Sequence, residues 1–243
     1  MTSAAAVPPH PRPRFVYYGH ATVRCDLPGG EVLLIDPWVK SNPACPETLH
    51  RLERLDGLLI THGHSDHIGD LLELAREHQP RIVGTFEVCE WLAGKGIGNP
   101  SPMNLGGAQE LLGLEVRMVR ADHSAGALEP DGTVSAGAAC GYVVRMGGGY
   151  TFYHAGDTAL FSDMQLIAEL WRPELAFLPI GDLFTMGPAA AACACRFLQV
   201  PRVIPIHWGT FPLLTGTPER LQKELADIGA TCEVVRLEPG ESY

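Results

Sequence analysis

Apolar and polar positions change period several times along this chain. Short strand-like runs come first, at Phe15–Tyr18, Thr22–Leu27 and Glu31–Ile35, with Gly29-Gly30 between the last two as a hairpin turn signal. Gly57–Thr61 is apolar without alternation, as expected of a strand buried on both faces. The pattern then turns helical from about Asp66 to Glu77, returns to a short strand at Ile82–Val83, and fits a short helix at Glu87–Leu92, ended by Gly94 and Gly96. The second half repeats the plan. Strands are expected at Leu114–Arg120, Gly141–Met146, Tyr150–His154, Leu175–Pro179, Val203–Ile206 and Glu233–Leu237, and helices at Ser162–Trp171, Pro188–Leu198 and Pro218–Ile228. Strands lead each half and helices follow. This predicts an α/β fold of two sheets packed face to face with helices outside, a four-layer αββα sandwich, although element order alone permits other α/β layouts. Residues 1–14, rich in Ala and Pro, read as a mobile lead-in, and residues 15–243 as one domain.

Composition narrows the function classes. The chain has 243 residues, is 46% hydrophobic and carries a formal net charge of −10. Such a surface repels phosphate backbones, which argues against a nucleic-acid partner. No apolar run spans a bilayer and the N-terminus lacks signal-peptide grammar, so a cytoplasmic protein with no membrane partner is expected. The seven cysteines include no Cys-x-x-Cys pair and read as small buried residues in a reducing compartment.

The chemistry concentrates in Thr61-His62-Gly63-His64-Ser65-Asp66-His67, where a buried strand gives way to a helix. Strand ends are where α/β proteins place their sites. In an extended turn His62 and His64 point the same way, whereas the adjacent Asp66 and His67 diverge. Gly63 lets the backbone bend, and Ser65 is a plausible helix N-cap. One cluster can therefore serve two metals about 3.5–4 Å apart. Further ligands must come from later strand ends, and Asp122-His123, His154-Ala155-Gly156-Asp157 and His207 are suitably placed.

Together, His-x-His-x-Asp-His, a distant His, Gly156-Asp157-Thr158 and a late His resemble the metallo-β-lactamase superfamily. Tyr18-Gly19-His20-Ala21, Ile35-Asp36-Pro37-Trp38, Met103-Asn104-Leu105-Gly106-Gly107, Phe161-Ser162-Asp163-Met164, Pro179-Ile180-Gly181-Asp182 and Phe184-Thr185-Met186-Gly187-Pro188 resemble a prokaryotic branch of small metal-dependent hydrolases, similar to the ascorbate-phosphate lactonases. The likeness runs from about Phe15 to Leu237. It implies that His62, His64 and His123 hold one metal, Asp66, His67 and His207 a second, and that Asp157 bridges them. Trp208 stands where Tyr is expected, and Cys140 where Ala is usual.

Five His and two Asp without a thiolate suit two divalent ions, zinc best, with manganese or iron also compatible. Two metals sharing a hydroxide would hydrolyse a small-molecule ester, lactone or phosphodiester, with Asp66 essential to turnover. His64 stands where oxygen-reducing relatives carry Glu, no Cys lies near the motif turns, and there is no room for the inserted domain of nucleic-acid-processing relatives. The alternatives are an iron-dependent oxidoreductase of the same fold and a non-catalytic metal-binding protein. Among the remaining candidates, His20 is expected near the site and Asp36 to orient a ligand His or cap a turn. His154 reads as a core residue or as support for a ligand. Asp182 is a candidate substrate contact or leaving-group acid, with a helix cap as its alternative. Residues 124–137 are a candidate lid or a surface hairpin, and loops around the site could pair subunits into a homo-oligomer.

Overall fold

A computed structural model describes residues 12–98 and 100–243. The first sheet runs in chain order: β1 (Arg14–Gly19), β2 (Thr22–Asp26), β3 (Val32–Ile35), β4 (Gly57–Leu59), β5 (Arg81–Thr85) and β6 (Pro100–Met103). Its first three strands are antiparallel and the rest parallel. The turn at Gly29-Gly30 joins β2 to β3, as its sequence predicts. Most of the N-terminal lead-in lies outside the described residues, but Arg14, assigned to it, is the first residue of β1.

The second sheet contains β7 (Ala108–Leu111), β8 (Leu114–Arg120), β11 (Cys140–Arg145), β12 (Thr151–His154), β13 (Leu175–Pro179), β14 (Arg202–Ile206) and β15 (Glu233–Val234), in the order β15-β14-β13-β12-β11-β8-β7. Between β8 and β11 the chain makes a separate hairpin, β9 (Gly126–Glu129) and β10 (Gly132–Ser135). β6 and β7 have no counterpart in the sequence expectation, and β15 is shorter than expected, although Val235 still donates to the Val203 carbonyl at 2.8 Å.

Three apolar layers hold the four structural layers together. Between the sheets, Phe15, Phe152 and Phe177 meet edge to face at 5.0–6.2 Å, surrounded by Val23, Leu33, Ile35, Val116, Tyr142 and Ile204. Outside the first sheet, α2 (Leu71–His78) and α3 (Phe86–Gly94) bury Leu71, Leu74, Val88 and Leu92. Outside the second, α4 (Met164–Trp171), α5 (Pro188–Leu198) and α6 (Pro218–Asp227) bury Met164, Ile167, Ala191, Leu198 and Leu221. Non-polar burial on both faces of each sheet explains why the strands read as continuous apolar runs. This is the αββα sandwich.

The single helix expected over 66–77 is two: α1 (Ser65–Ile68) and α2, interrupted at Gly69-Asp70. A Cβ on Gly69 would lie 2.5 Å from the Trp38 ring, and the Asp70 carboxylate accepts from Val39 N (2.5 Å) and from Ser41 N and Oγ. These long-range demands override local helical periodicity. Ser65 is the first helical residue, not the cap; His64 occupies the N-cap position without a side-chain bond.

A candidate metal centre at the strand ends

The C-terminal end of β4 delivers Thr61 and His62, the loop and α1 deliver His64, Asp66 and His67, and the ends of β8, β12 and β14 deliver His123, Asp157 and His207. The structure brings all seven residues implied as ligands into one constellation. Among the described residues, three overlapping groups could hold a metal: His62, His64 and His123; His62, His67 and Asp157; and His20, Asp66, His67 and His207.

In the first group, His64 Nδ1 lies 3.0 Å from His62 Nε2 and 3.3 Å from His123 Nε2. Three imidazole nitrogens converge there on one small space. In the other groups, Asp157 Oδ2 lies 3.0 Å from His207 Nε2, 3.3 Å from His67 Nε2 and 3.6 Å from His123 Nε2. Asp157 therefore stands between the two histidine sets. Its Oδ1 is buried and accepts no hydrogen bond, and His67 Nε2 likewise has no partner of hydrogen-bonding geometry. Buried polar atoms are rarely left unpaired. A cation satisfies both orphaned atoms and the converging nitrogens together, so these residues fit a metal.

Asp36 orients this set. It is fully buried, and its carboxylate accepts from Thr61 N (2.8 Å), Thr61 Oγ1 (2.6 Å) and His67 Nδ1 (2.8 Å). The Thr61 hydroxyl has one hydrogen, which it gives to Asp36; its 3.0 Å contact with His62 Nδ1 is then donation from the ring. Asp36 thereby sets His67 directly and His62 through Thr61, leaving Nε2 of both rings turned inward. The sequence pointed to Asp36 but not to Thr61, although its place beside His62 was available as a signal.

His20 has no exposed surface and uses both ring nitrogens: Nε2 contacts Asp66 Oδ2 at 3.0 Å and Nδ1 contacts Thr210 Oγ1 at 3.0 Å. Burial drives its pKa down to about 4, against the opposing pull of Asp66. A neutral ring with both nitrogens engaged holds Asp66 in place and has no free face for proton transfer. His20, Asp36 and His207 all have left-handed backbones, at φ 58°, 52° and 55°. Asp and His tolerate this region better than most residues, and such conformations gather at functional sites.

The charges in the centre are strongly coupled. Burial would raise the carboxyls of Asp157 and Asp66, but neighbouring imidazoles outweigh it and hold both well below the usual carboxylate range. Burial would lower His207 and His67; their carboxylate neighbours raise His207 to about 9 and His67 well above its ordinary value. His62, His64 and His123, farther from compensating charge, are pushed down by burial.

Two candidates lie elsewhere. Asp182 is exposed and outside all three groups; its carboxylate accepts from Leu183 N at 2.9 Å and its carbonyl closes the turn to Thr185. Asp182 does not cap a helix either: Gly187 holds the N-cap position of α5, and the Asp182 carboxylate is used in its own turn. His154 donates to the Ala21 carbonyl and accepts from Gly156 N, so it is a core residue that shapes the turn to Asp157. Gly156, at φ 62°, would place a Cβ 2.7 Å from the Cys140 carbonyl, which ties this turn to glycine.

Comparison with known proteins gives the family. The β-lactamase superfamily domain family matches residues 32–208. A UPF0173 metal-dependent hydrolase of Koribacter versatilis is 49% identical over 230 residues, covering 95% of this chain and 97% of that protein. Another from Methanopyrus kandleri is 43% identical, covering 95% and 99%. Among solved structures, the metallo hydrolase Igni18 of Ignicoccus hospitalis superposes with a TM-score of 0.84 at 32% identity, covering 95% and 97%. These names carry no substrate, and the finer likeness to ascorbate-phosphate lactonases finds no support in them. Among the described residues no helix is long and apolar enough to cross a membrane. Matched along nearly its whole length by these enzymes, the chain belongs to the UPF0173 metal-dependent hydrolases of the β-lactamase superfamily.

Proposed function

We propose that this hydrolase works with two divalent ions, zinc in the first instance, and cleaves a small-molecule ester, lactone or phosphodiester. The observation that carries the reading is Asp157, a buried carboxylate with one orphaned oxygen, standing 3.0–3.6 Å from histidines of both sets. His62, His64 and His123 would hold one ion, Asp66, His67 and His207 the other, and Asp157 both. Bound divalent ions lower the pKa of water from 15.7 toward about 7 and stabilise negative charge on oxygen.

The chain's own residues do the positioning. Asp36 and Thr61 fix which nitrogen of His62 and His67 faces inward. His20, itself tied to Thr210, holds the Asp66 carboxylate. His64, Asp66 and His123 keep part of their surface open and mark the face from which a substrate approaches. Ser124 Oγ lies 3.3 Å from His64 Nε2 at that opening. With His20 committed to Asp66 and Asp182 to a turn, neither serves as the leaving-group acid.

The test is metal content and turnover measured together. Protein loaded separately with zinc, manganese and iron is assayed against aryl esters, lactones and phosphodiesters. The reading expects two ions per chain, metal-dependent hydrolysis, and loss of both one ion and turnover in Asp66→Ala. One ion per chain, iron with substrate-dependent oxygen uptake, or no hydrolysis with any metal would overturn it.

A further inference from the structure

Beside the centre, a cavity of about 330 Å³ lies between the histidine loop and the β9–β10 hairpin. His64, Ser65 and Asp66 form its metal-side wall, Ser124 lies beside them, and Gly126, Leu128 and Thr133 form the opposite wall. Its volume falls at the small end of the usual range for ligand sites, roughly 300–1,000 Å³.

The hairpin is fastened as a wall. At its base, Ala127 and Ala136 are buried against Gly63, where an added Cβ would approach their methyl carbons to 3.2 and 2.7 Å. Thr85 Oγ1 donates to the Ala136 carbonyl at 3.0 Å. At the far turn, Glu129 accepts from Trp91 Nε1 (2.5 Å) and Lys95 Nζ (2.7 Å), both carried on or just after α3. What the hairpin then shows the cavity is Leu128, with Gly126 and Thr133 beside it. Leu128 keeps 65% of its surface exposed and is the large apolar side chain among the lining residues.

Charge gives the second observation. Among the described residues no Lys or Arg lines the cavity. The cations that flank the site in sequence are each matched already: Lys40 with Glu73, Lys95 with Glu129 at 2.7 Å, and Arg120 with Asp122 at 2.6 Å. Asp66, on the metal side, is the one carboxylate in the lining, and the chain carries −10 overall. An anionic handle seated against Leu128 would have no side-chain cation to pair with, the positive charge of any bound ions lying at the opposite, metal-side wall.

We propose that this cavity receives the part of the substrate remote from the scissile bond, and that this part is an uncharged alkyl or acyl group in contact with Leu128. The inference rests on the hydrolase reading above and narrows its substrate class. A phosphate or carboxylate handle is disfavoured against Leu128, whatever group reacts at the metals.

The test compares matched probes on zinc-loaded protein: p-nitrophenyl acetate, butyrate and hexanoate, and the half-ester of adipic acid, which adds one terminal carboxylate to the longest chain. Expected kcat/KM rises about threefold per buried methylene and falls at least about tenfold when the chain ends in carboxylate. Leu128→Ala should flatten the chain-length series, and Leu128→Lys should reverse the preference toward the half-ester. Equal or better use of the half-ester, or a ratio unmoved by Leu128→Lys, overturns the proposal while leaving the hydrolase reading intact. If none of these esters is turned over, the hydrolase reading is decided by the lactone and phosphodiester assays above, and the unreactive pair hexanamide and adipamic acid decides the cavity alone by calorimetric binding. Selective binding of hexanamide that Leu128→Lys abolishes supports the proposal; equal binding of the two amides overturns it.

Discussion

Asp36→Asn is the most informative single change, because it alters no volume and tests the tautomer argument directly. In the native protein three donors converge on one carboxylate: Thr61 N, the Thr61 hydroxyl and His67 Nδ1, at 2.6–2.8 Å. Asparagine retains one acceptor, which can stay with Thr61 N. Its amide then faces the other two as a donor. The Thr61 hydroxyl must turn, accept from the amide and donate to His62 Nδ1, and His67 Nδ1 must become an acceptor. Both rings then carry their hydrogen on Nε2, pointing at the space a metal needs. Loss of a charge-assisted buried hydrogen bond costs about 1.5–3 kcal/mol of metal-free stability. Loss of an orienting partner weakens metal affinity about 10–100-fold. Because Asp36 serves one His of each proposed set, both ions weaken, not one. Chelator competition gives the two affinities, and thermal unfolding of metal-free protein gives the stability. If Asp36→Asn keeps both affinities within about twofold of native while metal-free stability falls, the tautomer argument is wrong and Asp36 is only a core hydrogen-bond acceptor.

Other expectations follow from the same geometry. Gly63→Ala places a Cβ 2.7 Å from that of Ala136, so the hairpin base must move; a loss of about 1–3 kcal/mol is expected, with faster hydrogen exchange over residues 124–137, whereas Gly94→Ala, with open space around it, should leave both unchanged. Metal affinity should rise with pH, because His207 (raised to about 9) and His67 (raised well above its ordinary value) hold protons at neutral pH that a metal must displace. The gain is roughly tenfold per pH unit for each proton released, levelling for His207 above about 9, and pH-indicator titration of metal uptake checks it. Metal-free stability should run the other way: a raised folded-state pKa stabilises fully below the ordinary 6.5 and is lost as pH climbs to about 9, so the chemical-denaturation midpoint of metal-free protein should fall across that window.

How much of this was legible in the sequence depends on what each element answers to. β8, β13 and α5 match their expected spans because their residues satisfy local period and burial together: Leu114–Arg120 and Leu175–Pro179 lie inside a sheet, and Pro188 opens a helix with an apolar face. β6 and β7 left no such trace. They are the edge strands of their sheets, Pro-Ser-Pro-Met and Ala-Gln-Glu-Leu, mostly unburied, and they are strands because β5 and β8 offer a partner. Proline is tolerated there because an edge leaves one row of N–H groups unused. Residues 124–137, read as a candidate lid or a surface hairpin, form the β9–β10 hairpin. Its glycines and alanines suggest looseness when read along the chain, but Ala127 and Ala136 are small because Gly63 must pass between them.

The metal-site candidates were the easiest to find, because metal chemistry restricts the residue types to His and Asp and the fold restricts them to strand ends. What supports them is written in ordinary residues. Thr61 and Thr210 matter only because a ring nitrogen lies 3.0 Å away, and Asp182 looked reactive only because it follows a buried strand as Asp66 and Asp157 do. The difference is partnership: Asp157 keeps a buried oxygen unpaired, whereas Asp182 gives its own to the next backbone N–H. An acidic residue in this fold is therefore better judged by which of its oxygens remain unsatisfied than by where it falls after a strand. By that measure Asp157 belongs to the centre, as do His67 and His207, which also keep a buried ring nitrogen unpaired. The chain gives the adjoining cavity a leucine and no cation, and so separates the place where charge is handled from the place where the substrate is recognised.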